Sequence, residues 1–107
     1  MTTFLFSYRM PKDYTPGRPE AVAAWTDWFE DVGGSLVDRG NPVFESSALG
    51  NCGTDTALGG YSLVSAEDLE AAAALAKGCP ALAEGAGVEV GVITVLSSGT
   101  DAGRIGA

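Results

Sequence analysis

Strand-like and helix-like segments alternate along this chain in an order that leaves few possible folds. Residues 2–9 alternate between apolar and polar with period two, which predicts a first strand. Residues 20–32 repeat apolar side chains every three or four positions, which predicts a helix starting after Pro19. A short second strand is predicted at 35–37, followed by a turn through 38–42.

The second half repeats this order. Residues 43–60 have a weak, glycine-rich pattern, which predicts a long loop that could hold a short strand. A third strand is predicted at 61–64 and a second helix at 66–77, with Ser65 as its N-cap and Asp68 as the capping-box partner. Residues 88–96 are predicted to form the last and longest strand.

The order strand, helix, strand, strand, helix, strand predicts an α+β, ferredoxin-like sheet with two helices on one face. The 107 residues suit a single domain. We expect that domain to span 1–96, with 97–107 forming a flexible C-terminal tail.

The other face of the sheet is also predicted to be apolar, because Leu5 lies opposite the aromatic side of the first strand and the last strand changes its apolar phase. Pairing of two identical faces is a common way to cover such a surface, which predicts a homodimer. The alternative is a monomer in which the loop around Cys52 and the tail fold back over the sheet.

Charge and residue usage limit the function. The net charge of -8 disfavours nucleic acid and anionic membranes as partners. No segment resembles a spanning helix or signal peptide, so we expect a cytoplasmic protein. The absence of histidine removes every His-based catalytic or metal-binding arrangement. Cys52 and Cys79 are too far apart in sequence to form a redox pair or a zinc cluster, so no metal or cofactor is predicted.

Several segments in this order resemble YCII-related domains. In the second half they are 60–64, 68–69, 74–80 and 88–90; in the first half they are the strand of Tyr8, the helix of Trp25, Trp28 and Phe29, and residues 36–42. The resemblance implies a dimeric α+β barrel with a cleft between the sheet and the dimer interface. Some members of the family carry a His and Asp pair in that cleft and have been suggested to be enzymes. The resemblance implies that Asp38 is the acidic partner, here without its imidazole.

Four residues are candidates for ligand binding: Tyr8, Asp38, Asn41 and Tyr61. The two tyrosines could line one pocket, although packing in the core is the simpler interpretation for Tyr8. Asp38 and Asn41 are equally typical of turns. No catalytic residue is identified.

Three functions remain open. The first is an uncharacterised small-molecule-binding or accessory domain acting as a homodimer. The second is an enzyme acting on a small uncharged or cationic substrate, with Asp38 or a tyrosine transferring the proton. The third is a structural module whose sheet face serves only to dimerise.

Overall fold

Four strands form one antiparallel sheet in the computed structural model, which describes residues 1–96. The strands are β1 (Thr2–Pro11), β2 (Leu36–Asp38), β3 (Thr56–Ala66) and β4 (Gly87–Val92), in the spatial order β2-β3-β1-β4. The helices are α1 (Pro19–Val32), α2 (Leu69–Ala76) and the short α3 (Pro80–Ala83). The predicted tail, 97–107, lies outside the described residues.

The helices pack on one face of this sheet. The side chains of β1 that point to this face are buried and form the core with residues from all three helices: Phe4, Phe6, Tyr8, Met10, Trp28, Val32, Ala72, Ala76 and Ala81. The small alanines of α2 allow that helix to lie close to the strands. This architecture confirms the predicted α+β class and is compatible with a ferredoxin-like fold.

Two tryptophans of α1 occupy different environments. Trp28 is buried, stacks on Phe6 with ring centroids 6.1 Å apart, and donates its indole N–H to the carbonyl oxygen of Leu75 at 3.1 Å. Trp25, three residues earlier, is only partly buried. The tryptophan further along the helix therefore anchors α1 to α2, and the other is left at the rim of the core.

The predicted start of the second helix is wrong. Ser65 does not cap it, because β3 continues through Ser65 and Ala66, which pair with the beginning of β1. The N-cap is Asp68, whose Oδ1 accepts a hydrogen bond from the backbone N–H of Ala71 at 2.8 Å. The pairing of β3 with β1 thus delays the helix until Leu69.

The predicted lengths of the last two strands are also wrong. β3 is the longest strand and starts at Thr56, inside the segment predicted to be a loop. β4 ends at Val92, which pairs with Phe4. β1 begins only two residues before Phe4, at Thr2, so β4 has little of β1 left to pair with. A strand can continue only where it has a partner.

A β-bulge explains why the start of β3 is glycine-rich. Tyr8 pairs with Gly60 and Arg9 pairs with Leu58, so Gly59 is the extra residue. A Cβ at Gly59 would overlap the side chain of Met10. These glycines mark a close approach inside a strand rather than a turn.

The face opposite the helices is partly apolar. Leu5 and Leu63 lie opposite each other there, and Leu5 is 37% exposed. Arg9, Ser7 and Glu89 share the same face and make its other end polar. Within residues 1–96, none of the helices has the length and apolar character needed to cross a membrane.

Candidate functional site

A cleft of about 260 Å³ opens between α1 and one end of the sheet. Three segments of irregular chain border it: the connection after β1, the turn between β2 and β3, and the bulged start of β3. The residues that contribute to its wall include Tyr8, Tyr14, Trp25, Phe29, Arg39, Asn41, Phe44 and Tyr61. The site is thus built from parts of the chain that are far apart in sequence.

Aromatic rings that pack against one another line part of its inner wall. Trp25 packs edge-on against Tyr8, with ring centroids 4.8 Å apart, and lies 5.9 Å from the ring of Phe29. Rings held by neighbouring rings offer a flat apolar surface at little cost in conformational entropy. Such a surface suits a planar or apolar ligand.

A buried chain of hydrogen bonds lies behind this wall. The Tyr8 hydroxyl donates to Ser62 Oγ at 2.7 Å, and the Ser62 hydroxyl donates to the carbonyl oxygen of Arg39 at 2.5 Å. Burial raises the pKa of the Tyr8 phenol far above its usual range, although the Ser62 hydrogen bond opposes this. Tyr8 therefore stays protonated with its hydroxyl occupied, and offers a ligand its ring.

The turn after β2 forms the opposite wall. Gly40 has a φ of 75°, and its N–H donates to Asp38 Oδ1 at 2.8 Å, which gives an Asx turn. Asn41 Nδ2 donates to the Tyr61 hydroxyl at 3.4 Å. Tyr8, Asn41 and Tyr61 therefore meet at one cleft, whereas the exposed carboxylate of Asp38 supports the turn and does not line the cleft.

Sequence reasoning missed Arg39 as a site residue. Its guanidinium lies over the ring of Phe29, with Cζ 4.6 Å from the ring centroid, at the wall of the cleft. The sequence placed Arg39 in a turn, but no spacing rule indicates that this turn crosses towards α1.

Neither cysteine of the described chain contributes to the wall of the cleft. Cys79 is buried, and this burial raises its pKa to about 11, while Cys52 is exposed. In the part of the chain that the structure describes, no group of three His, Cys, Asp or Glu side chains is placed to hold a metal ion.

Comparison with known proteins identifies a family. Searches of curated proteins and of solved structures gave no match. The sequence model of the YCII-related domain matches residues 1–95, which is nearly all of the described chain. The protein therefore belongs to the YCII-related domain family.

Proposed function

We propose that this protein is a small-molecule-binding domain that acts as a homodimer and has no catalytic group of its own in the cleft. The observation that carries the proposal is the aromatic cleft, whose wall of Tyr8, Trp25 and Phe29 is held in place before any ligand arrives. Its volume of about 260 Å³ is close to the lower end of the range for ligand sites, ~300 Å³. A small metabolite fits this space better than a large cofactor.

The enzyme alternative has less support. Asp38 lies outside the cleft and is engaged by the N–H of Gly40. Tyr8 has its hydroxyl committed to Ser62 and a raised pKa. Tyr61 keeps a hydroxyl near the cleft, but its only side-chain partner within residues 1–96 is the amide of Asn41, which cannot take up a proton.

Ligand binding should change the chemical shift of the Trp25 indole N–H and leave that of Trp28 nearly unchanged. In a ¹⁵N–¹H spectrum, the protein has two indole N–H signals, and we expect cleft ligands from a fragment library to shift that of Trp25. The signal of Trp28 should move little, because its N–H donates to Leu75 within the protein. Trp25→Ala removes the Trp25 signal, so its binding is measured by titration calorimetry, and it should be weaker by about tenfold or more because an aromatic contact surface is lost.

Trp25→Phe assigns the two signals and serves as the conservative control, because it keeps a ring against Tyr8. A library in which no compound shifts Trp25 would contradict the proposed binding function. That result would favour the purely dimerising module.

The homodimer part of the proposal is supported by the opposite face of the sheet. Leu5 and Leu63 form an apolar pair on this face. The backbone N–H of Ile93 donates to the carbonyl oxygen of Thr3, which places Ile93 beside β1. Its side chain is 36% exposed and enlarges the apolar patch. An isologous contact would cover this patch on both copies at once.

Leu5→Lys is expected to convert the dimer to a monomer, because it places two charges in a face-to-face contact. Light scattering on a size-exclusion column should then give the mass of one 10.9 kDa chain instead of two. Leu69→Lys makes the same change at a 50% exposed position at the start of α2, on the helix side of the sheet, and should leave the dimer intact. A wild-type protein that is monomeric at all concentrations would refute this part of the proposal.

A further inference from the structure

The charge of the cleft is opposite to the charge of the protein. The chain has 14 acidic and 6 basic residues, yet among residues 1–96 no Asp or Glu contributes to the wall of the cleft. Arg39 is the one charged residue that the described part of the chain contributes to that wall. A ligand in this cleft therefore meets a cation, although the protein as a whole repels anions.

Arg39 is also available to a ligand. The two ion pairs among residues 1–96 both use Arg18, with Glu20 at 3.3 Å and Glu84 at 2.8 Å. Within the same residues, the side chain of Arg39 makes no hydrogen bond and rests on the ring of Phe29. Its fork of N–H donors is left to bind a group from solution.

The position of Arg39 is fixed through its backbone. Its carbonyl oxygen accepts a hydrogen bond from the buried hydroxyl of Ser62, and the next residue, Gly40, is held by Asp38. The guanidinium thus starts from an anchored turn and lies against a packed ring, so less freedom is lost when it binds a ligand.

Other polar groups of the wall are less suited to recognising charge. The hydroxyl of Tyr8 donates to Ser62, and that of Thr26 donates to the carbonyl oxygen of Val22 at 2.9 Å. The amide of Asn41 is neutral and already reaches Tyr61. Discrimination between a charged and an uncharged ligand then depends on Arg39.

We propose that the cleft binds a small organic carboxylate with a planar apolar body. The carboxylate pairs with the guanidinium of Arg39, and the apolar body lies against the rings of Trp25 and Tyr8. A single carboxylate matches one guanidinium fork in charge and geometry, whereas a doubly charged phosphate would need a second cation, which residues 1–96 do not supply to the wall. This inference rests on the proposed binding function and specifies its ligand class.

Matched pairs of fragments test the inference. Phenylacetate and indole-3-acetate are titrated against the corresponding amides, which have the same shape without the charge, and binding is followed at the Trp25 indole signal. We expect each carboxylate to bind about threefold more tightly than its amide, the effect of one solvent-exposed ion pair. This preference should shrink as salt is raised, because the pair is exposed to solvent.

Three variants assign the preference to Arg39. Arg39→Gln should weaken carboxylate binding more than amide binding and bring the ratio of the two affinities to about one, and Arg39→Lys should retain part of the preference. Lys77→Gln removes the same charge at the end of α2, outside the cleft, and should keep the full ratio.

The outcomes separate this inference from the function on which it rests. Amides that bind as well as carboxylates, or an unchanged ratio in Arg39→Gln, would overturn the anion inference and leave the binding function standing. If neither class of fragment shifts the Trp25 signal, both proposals fail. Equal melting temperatures of the variants show that the comparison concerns binding rather than folding.

Discussion

Gly40→Ala is expected to lower the free energy of unfolding by about 4 kcal/mol or more, which is exceptional for the addition of one methyl group. Gly40 has a φ of 75°, a conformation that L-residues rarely adopt. A Cβ there would also overlap the carbonyl oxygen of Tyr61 and lie 2.7 Å from its carbonyl carbon. Both atoms belong to backbone within the sheet, so the turn itself would have to move.

Gly50→Ala is the matched control for this prediction. Gly50 has the same φ of 75°, but a Cβ there would meet nothing within 4 Å. Its cost should therefore be the backbone strain alone, about 1–2 kcal/mol. Urea denaturation of the two variants measures both terms, and equal losses of stability would show that the turn yields freely at Gly40.

Ser62→Ala is expected to cost about 3 kcal/mol, because it leaves the Tyr8 hydroxyl and the Arg39 carbonyl oxygen without their shared partner in the core. Ser62 is completely buried and lies in β3, between the aromatic wall and the turn. Loss of the Ser62 hydroxyl should thus make the positions of Tyr8 and of the turn at Arg39 less fixed, as well as destabilise the fold.

A double-mutant cycle with Tyr8→Phe distinguishes this network from a simple cavity. In a Tyr8→Phe background there is no Tyr8 hydroxyl to lose its hydrogen-bond acceptor when Ser62 is replaced. Ser62→Ala should therefore cost about 1 kcal/mol less in that background than in the wild type. Purely additive effects in denaturation would mean that the hydrogen bond between the two side chains contributes nothing.

Local periodicity was sufficient to predict the helices and strands that bury one side against the core. The alternation in β1 and the apolar stripe of α1 each identified an element to within a few residues, because burial imposes the repeat directly. The ends of β3 and β4 were misplaced, because pairing with β1 sets them. Pairing partners are not encoded in the pattern of a single segment.

The glycines before Tyr61 show the same limit. Gly59 and Gly60 are typical of a turn in sequence, but they lie in a strand where Met10 and the chain at Asn41 leave no space for a side chain. Only the neighbours across the sheet distinguish these two situations.

The candidate site was predictable in part. Tyr8, Asn41 and Tyr61 were identified by residue type and meet at the cleft. Of the neighbours Asp38 and Arg39, the predicted candidate Asp38 does not line the cleft, whereas Arg39 does. Asp38 supports the turn and Arg39 reaches α1. Which of two adjacent polar residues faces a cavity depends on the course of the turn, and nothing in the local sequence specifies it.

The edges of the sheet also determine how this chain can associate. β2 has three residues and an irregular register, and β4 presents Gly87, Glu89 and Gly91, so each edge is short or poor in strand-forming side chains. Edges of this kind resist the addition of further strands, and hence amyloid-like growth of the sheet. The proposed contact through the open face would close after two copies, and on that proposal the apolar surface is covered without the growth of filaments.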